Sequence, residues 1–314
     1  MPLPRALVPL FALACLALPL LAQPTEEESF FWLGPDGEPL PFQSHEEVLG
    51  FLTKAKVLEK EELFAGTNRP YKILLEKDGV RAHAIFRTVD IRRDRVKIDG
   101  KTHVDFHDSA RYECAAYVIS RHLRMNHVPP CVRRSLNRTD GTVQLWVEKA
   151  MTQLERREKD LPLPSSILLA RDRQTMRLFD ALIANIDRNQ GNLMIDAKNR
   201  LWFIDHTRSF GVDTRVEDLS RLVWCDREVW EGLQKLHKKD LYKSLGKYVD
   251  GRRILALLER RNLLVAHFQD RIDSIGEGAV LFDEATSLDD LSDLELATAE
   301  EELPRNTSLP LIDG

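Results

Sequence analysis

The sequence lacks the patterns by which zinc sites and serine hydrolases are recognised. Two of its nine histidines, His103 and His107, are four residues apart, but they lie in a glycine-preceded, strand-to-turn region rather than along a helix. They therefore do not indicate a zinc site. No Gly-x-Ser-x-Gly segment is present, which excludes the nucleophile elbow of the α/β-hydrolases.

Cysteine is also scarce, with four residues in 314. Cys114, Cys131 and Cys225 lie in the body of the chain without the close spacing of a metal site or a disulfide framework. At most one intrachain disulfide can form among the three. Because Cys114 stands beside two alanines in a helical pattern, we expect it to be a small buried hydrophobe.

Residues 6–21 form an apolar run that follows Arg5 and precedes Ala22. The run is broken by two prolines and is shorter than the roughly 20 residues that cross a bilayer as a helix. This arrangement predicts a signal peptide over residues 1–22 that is cleaved after Ala22, rather than a retained membrane anchor. We therefore expect an exported protein in a periplasmic, secreted or secretory-lumen compartment.

The net charge of -5 is distributed unevenly. Residues 276–314 contain eleven acidic residues and one arginine, which leaves +4 on residues 23–275. Such a weakly basic body lacks the dense Lys/Arg stripe that binds a phosphate backbone, so nucleic acid is not an expected partner. The acidic tail is predicted to be disordered, or else to form a short helix that binds a basic partner.

The pattern of elements predicts an α+β protein with a β-rich first half and a mainly helical second half. The pair Asp78-Gly79 between two extended runs predicts a hairpin, and apolar residues at helical spacing predict helices over 46–58 and 108–124. The predicted boundaries are a signal peptide at 1–22, an N-terminal segment at 23–44, a β-rich lobe at 45–150, a helical lobe at 151–275 and the acidic tail at 276–314.

Residues 187–205 carry the side chains that best suit a catalytic site. Asp187 and Asn192 lie in a polar loop after a predicted helix, and Asp205 follows two short apolar strands. Asn192 and Asp205 are five and eighteen residues beyond Asp187, which are the separations of the catalytic Asp, metal-binding Asn and metal-binding Asp in protein kinases. Phosphoryl transfer needs these groups, because an Asp orients the acceptor hydroxyl and hard oxygen ligands hold Mg²⁺.

The stretch IANIDRNQGN, followed by WFIDHTRSF, resembles a kinase that lacks the usual His-Arg before the first Asp and Phe-Gly after the second. It is similar to the atypical branch that contains type II phosphatidylinositol 4-kinases, HipA-like kinases and the secretory-pathway kinases of the Golgi casein kinase and four-jointed type. The resemblance covers about residues 63–275. It implies a bilobal kinase-like fold, ATP with Mg²⁺ or Mn²⁺, Asp187 as catalytic base, and Asn192 and Asp205 as metal ligands.

The same resemblance assigns nucleotide-binding residues in the first half. Gly66 and Thr67 match the phosphate-covering turn. Glu113 matches the helix acid that pairs with the phosphate cation, and Glu148 ends the strand that leads into the hinge. Where these families have a lysine as the phosphate cation, this chain has Arg87.

Arg87 bears on whether the chain is catalytic. Its planar guanidinium can hold phosphate, but it need not reproduce the geometry of an ammonium group. Lys72 on the neighbouring strand is a substitute cation, although an exposed strand residue is the favoured interpretation.

These residues predict an exported kinase that transfers the γ-phosphate of ATP to a hydroxyl group of a protein, sugar or lipid. Two alternatives stay open. One is an inactive pseudokinase that binds a nucleotide or a protein, and the other is transfer of AMP on the same fold.

Overall fold

The first half of the chain folds into an antiparallel sheet with helices packed against it. The computed structural model describes residues 32–63, 69–98, 100–164 and 167–283, all within one unit that spans residues 31–314. The elements of the first half are α1 (His45–Lys54), β1 (Lys56–Glu62), β2 (Tyr71–Lys77), β3 (Val80–Arg87), β4 (Asp90–Ile98), β5 (Lys101–Ser109), α2 (Arg111–His122), β6 (Cys131–Leu136) and β7 (Thr139–Leu145). Strands β1, β2, β3, β7 and β6 form one sheet in that order, and β4 pairs with β5 as a separate hairpin.

The β2–β3 hairpin confirms the turn predicted at Asp78-Gly79. Both residues have positive φ, 53° for Asp78 and 81° for Gly79, as a two-residue type I′ connection requires. Strand β3 pairs with β2 on one side and with β7 on the other. Arg87 is therefore the last residue of a strand whose position is set by pairing on both edges.

Two strand regions differ from the predicted elements. The helix predicted over 46–58 ends at Lys54, and Lys56–Glu62 forms the edge strand β1. The β4–β5 hairpin is not among the predicted elements, although an Asp-Gly pair at 99–100 stands between its strands. Both differences arise because these strands are rich in charged residues and lack clear hydrophobic alternation, so pairing with a neighbour decides their conformation.

A disulfide joins α2 to the sheet. It links Cys114 on α2 to Cys131 at the start of β6, with Cα atoms 4.8 Å apart. Cys114 is fully buried, as expected, and its side chain is also covalently bonded. The buried face of α2 packs against β6, and this packing brings the two cysteines together. Cys225 is a buried free thiol.

The second half is mainly helical, as predicted. Its elements are β8 (Ala150–Thr152), α3 (Gln153–Glu158), α4 (Ile167–Ile183), β9 (Leu193–Asp196), β10 (Leu201–Phe203), β11 (Cys225–Asp226), α5 (Arg227–Gln234), α6 (Lys238–Leu245), α7 (Gly251–Ile275) and β12 (Leu281–Phe282). Strands β8, β9 and β10 form a small antiparallel sheet, and β11 pairs with β12 in parallel. Phe179 of α4 and Phe268 of α7 are fully buried in the same hydrophobic core.

The described part of the acidic tail is structured. It begins at Gly276 and includes β12, whose two residues are buried. The rest of the tail, residues 284–314, and the predicted signal peptide lie outside the described residues. Within the ranges that the structure describes, no helix has the length and apolar character to cross a membrane.

Reduction of the Cys114–Cys131 bond should destabilise the protein. The bond links residues 17 positions apart, for which the constraint on the unfolded chain is worth about 3 kcal/mol. We expect dithiothreitol to lower the free energy of unfolding in urea by about that amount. The double variant Cys114→Ala/Cys131→Ala should match reduced wild type and show no response to dithiothreitol. An unchanged stability of the wild type on complete reduction would contradict this account.

Candidate active site

Arg188 shapes the loop that follows α4. Its guanidinium pairs with Asp180 of α4, through Nε at 2.8 Å and Nη2 at 2.9 Å. Nη1 donates to the backbone carbonyls of Asn192, at 2.6 Å, and Ile204, at 2.9 Å. These bonds fasten the loop to the end of β10, just before Asp205.

The residues at 187, 192 and 205 therefore lie on adjacent segments. Asn192 donates through Nδ2 to the backbone oxygen of Asp187 at 2.8 Å, and the Ile204 N–H donates to the carbonyl of Asn192 at 3.2 Å. Because Nδ2 is the donor in the first bond, Oδ1 is the atom of the Asn192 amide that a metal ion could contact. The structure thus brings together the three side chains that the sequence spacing singles out.

Asp205 combines an unusual backbone with a partly buried carboxylate. Its φ of 58° lies in the left-handed region, which is uncommon for a residue with a side chain. The hydroxyl of Thr207 donates to its Oδ1 at 3.2 Å. Burial raises the pKa of Asp205; Arg87 opposes the rise, whereas Glu113 and Asp108 add to it. A carboxylate in such surroundings is stabilised by a bound cation.

Glu113 is a fully buried acid on α2. The Nε of Arg87 lies 3.7 Å from its Oε1. The backbone N–H of His206 donates to Oε1 at 3.1 Å, and His206 Nδ1 lies 3.2 Å from Oε2. Burial by itself raises the pKa of Glu113, but Arg87 and His206 outweigh it and hold the pKa at about 2. Glu113 therefore stays ionised and connects β3, α2 and the segment after β10.

Asp187, at the predicted base position, contacts an arginine. The Nη1 of Arg208 lies 3.4 Å from Asp187 Oδ2, and the Nε of Arg208 donates to Oδ2 of Asp108 at 2.8 Å. A backbone bond of 2.8 Å from Ser109 N to Thr207 O joins the same two segments. Burial raises the pKa of Asp187 to about 6, against the lowering effect of Arg208.

No protein-family model and no curated protein sequence matches the chain. Among solved structures, it is similar to that of Hydra Fam20 with sugar, with a TM-score of 0.59 and 16% identity over 78% of this chain and 95% of that one. It is also similar to the Golgi casein kinase, with a TM-score of 0.55 and 17% identity over 76% and 77% of the two chains. For the Golgi casein kinase with Mn/ADP bound, the TM-score is 0.54 and the identity 16%, over 77% and 80%. The chain has an atypical protein-kinase-like fold.

This kinase-like fold confirms the expected bilobal α+β architecture and the resemblance to atypical kinases. The five-stranded sheet with α2 is the N-lobe, and the helical half is the C-lobe. Arg87 and Glu113 belong to the N-lobe, whereas Asp187, Asn192 and Asp205 belong to the C-lobe. The contacts of Glu113 with His206 and of Asp108 with Arg208 join the two lobes at the cleft.

Arg87 and Glu148, which are expected to bind the nucleotide, make separate contacts in the N-lobe. Arg87 is buried beside Glu113, and its Nη1 also donates to Oε1 of Gln144 on β7 at 3.2 Å. Glu148 follows β7, and its Oε1 lies 2.6 Å from Nδ1 of His83. Gly66 and Thr67 lie outside the described residues.

Lys72 lies against the segment that follows β7. Its Nζ lies 4.7 Å from the centroid of the Trp146 ring. The side chain is half-buried in β2, so the favoured interpretation of an exposed strand residue is wrong. Lys72 makes a cation–π contact with Trp146, and the sheet register places it opposite Ile85, two residues before Arg87.

Asp108, His206 and Arg208 belong to the site but are not among the residues predicted from the sequence. A signal was available for two of them, because His206 and Arg208 directly follow the predicted metal ligand Asp205 and would bring charge to it. Asp108 looks in the sequence like an ordinary polar residue before a helix. Its contact with Arg208 spans 100 residues and depends on the tertiary structure.

The charges and ligand atoms of the cleft suit a divalent cation. The interacting groups that the structure describes there are four carboxylates and two guanidinium groups, from Asp108, Glu113, Asp187, Asp205, Arg87 and Arg208. The oxygens of Asp205 and Asn192 are hard ligands of the kind that Mg²⁺ and Mn²⁺ prefer. In the described part of the chain, no three His, Cys, Asp or Glu residues form a complete metal site. Nucleotide phosphates and water would have to supply the remaining ligands.

Acid should weaken the contacts that Glu113 makes with Arg87 and His206. Its folded-state pKa of about 2 lies below its ordinary value of 4.5, so the stabilisation is present above pH 4.5 and is lost as the pH falls toward 2. In Glu113→Gln, unfolding in urea should therefore require less denaturant at pH 7 and should depend less on pH between 5 and 3. Glu217→Gln removes an acid from an exposed ion pair with Lys101 and serves as the control. A wild-type pH slope in Glu113→Gln would contradict this assignment.

Proposed function

We propose that the chain is an exported kinase that transfers the γ-phosphate of ATP to a hydroxyl group of a protein, sugar or lipid acceptor. The observation that carries the proposal is the convergence of Asp187, Asn192 and Asp205 beside the buried Arg87–Glu113 pair. Structures of the same fold include a kinase with Mn/ADP bound, which supports a nucleotide and a divalent metal as ligands. The acceptor class stays open among the three.

Each residue has one role in this proposal. Asp187 orients the acceptor hydroxyl and accepts its proton, as its partly buried carboxylate in the catalytic loop allows. Asn192 and Asp205 would hold Mg²⁺ or Mn²⁺, which supplies positive charge to the phosphates when bound. Arg87, positioned by Glu113, binds the α- and β-phosphates. Gly66 and Thr67 would cover the phosphates, and Glu148 would lie beside the adenine at the hinge.

Export is proposed from the N-terminal sequence and is supported by two further observations. The Cys114–Cys131 disulfide is of a kind that persists in oxidising compartments. The Golgi casein kinase, whose fold the chain shares, is named for a compartment of the secretory pathway. Where the chain acts after export depends on the host.

A second candidate function is a nucleotide-binding pseudokinase, which Arg87 favours. Arginine is bulkier than lysine and holds its donors in one plane, so the phosphates are placed differently. Gln144 and Glu113 both contact Arg87 and restrict how far it can adjust. Measurements of turnover distinguish the two candidates.

Substitution of Asp187 and Asp205 should separate chemistry from binding. Asp187→Asn should leave the affinity for Mg·ATP nearly unchanged and lower phosphate transfer by about 10²–10⁴-fold, because a positioned base is lost. Asp205→Ala should abolish both transfer and Mg²⁺-dependent nucleotide binding. Calorimetry and a ³²P transfer assay with a broad acceptor panel measure these effects.

Asp94→Asn is a suitable control, since Asp94 is exposed on β4. The kinase proposal fails if the purified wild type shows no transfer that Asp187→Asn removes. Retained Mg²⁺-dependent binding of ATP in that case would favour the pseudokinase.

Arg87 should be required for nucleotide binding. Arg87→Ala should weaken ATP binding about tenfold or more, because a charged hydrogen-bond partner of the phosphates is lost. Arg87→Lys should preserve or raise turnover, since lysine is the phosphate cation in the kinase families that the sequence resembles. The control is Arg81→Ala on the exposed end of the same strand. An ATP affinity that is unchanged in both Arg87 variants would show that another cation binds the phosphates.

A further inference from the structure

Three arginines lie around the catalytic loop, and their contacts differ. Arg188 donates to Asp180 and to two backbone carbonyls, so its guanidinium is used to hold the loop. Arg87 is held by Glu113 and Gln144, on the N-lobe side of the cleft. Neither contacts the carboxylate of Asp187 in the bonds that the structure describes. Arg208, in contrast, contacts that carboxylate.

Arg208 is positioned from both lobes. Its Nε donates to Asp108, a fully buried residue at the end of β5, and its Nη1 lies 3.4 Å from Asp187 Oδ2. The backbone bond between Ser109 and Thr207 fixes the preceding residue of the same segment. Arg208 itself is only 6% exposed. Its guanidinium is therefore preorganised next to the proposed base, with little solvent to screen its charge.

The position beside Asp187 is where a transferred phosphoryl group must pass. A base accepts a hydrogen bond from the acceptor hydroxyl at about 2.6–3.2 Å, and that hydroxyl oxygen attacks phosphorus directly. A cation in contact with the base carboxylate is therefore within reach of the phosphoryl oxygens. We propose that Arg208, held by Asp108, binds the γ-phosphoryl group during transfer. This inference rests on the proposed kinase function.

The step is balanced without any further reactant. The acceptor oxygen forms a bond to the γ-phosphorus while the bond from that phosphorus to the β,γ-bridging oxygen breaks, and the electron pair of the broken bond stays on ADP. The hydroxyl proton passes to Asp187. Arg208 stabilises the negative charge on the three phosphoryl oxygens during this exchange, as an arginine supplied within the same chain does in other phosphoryl-transfer proteins. Asp108 is a positioning residue, since it acts through Arg208.

The test compares a transition-state mimic with the product nucleotide. Aluminium fluoride with Mg·ADP mimics the phosphoryl group in transit, whereas Mg·ADP alone lacks it. Arg208→Gln should bind Mg·ADP within about twofold of wild type but should bind Mg·ADP·aluminium fluoride about tenfold or more weakly, by calorimetry. Its kcat should fall by about a hundredfold or more with little change in the KM for ATP. Arg208→Lys should recover part of both losses, and Asp108→Asn should show smaller losses of the same kind.

Arg215→Gln is the matched control, because Arg215 is an exposed arginine on the same segment and pairs only with the nearby Asp213 among the ion pairs described. If Arg208→Gln does not fold, Arg208→Lys is measured instead. The ratio of its affinity for Mg·ADP·aluminium fluoride to its affinity for Mg·ADP should be at least about threefold lower than in the wild type, because the planar fork is lost. An unchanged ratio in the folded variants overturns the inference. If the wild type transfers phosphate and Arg208→Gln retains its kcat, the inference fails while the kinase proposal stands. Absence of any transfer by the wild type counts against the kinase proposal itself.

Discussion

The cleft depends on the buried carboxylate of Glu113. An ionised group that is fully removed from solvent is stable only with opposite charge and hydrogen bonds around it. Arg87 supplies the charge from β3, and His206 supplies two contacts from the segment after β10. Because Glu113 lies on α2, one set of contacts fixes the orientation of this helix, the end of β3 and the backbone next to Asp205. Loss of the charge would weaken the contacts that join all three.

Arginine is the residue that connects buried segments throughout the second half. Arg253 of α7 donates to the carbonyl of Phe210 at 3.0 Å, and Arg260 donates to that of Leu182 at 2.9 Å. Several donors in a rigid plane allow one side chain to satisfy carbonyls on different segments. Burial lowers the pKa of Arg260 to about 10, which still leaves it charged at neutral pH. The stretch 205–213 is thus fastened by the C-terminal helix as well as by the N-lobe.

The side chain and backbone of Arg87 are both in contact with residues of β7. Gln144 accepts a hydrogen bond from Arg87 Nη1, which gives the larger head group a second partner besides Glu113. Gly141 on β7 packs against the backbone of Arg87, and a Cβ at that position would overlap the Arg87 carbonyl oxygen. Strand β7 therefore accommodates the end of β3 closely. Arg87 therefore has surroundings that constrain its head group.

The sequence by itself determined the features that depend on neighbours along the chain. The Asp78-Gly79 turn, the mainly helical second half, and the spacing of Asp187, Asn192 and Asp205 could all be predicted, because local backbone preference and periodicity encode them. The charged strands β1, β4 and β5 could not, since pairing across a sheet overrides weak local preference. Only the tertiary structure decided which buried groups meet, such as Asp108 with Arg208 and Cys114 with Cys131. The reason is physical: the cost of burying a charge, and hence the choice of its partner, is set by atoms that are distant in sequence and adjacent in space.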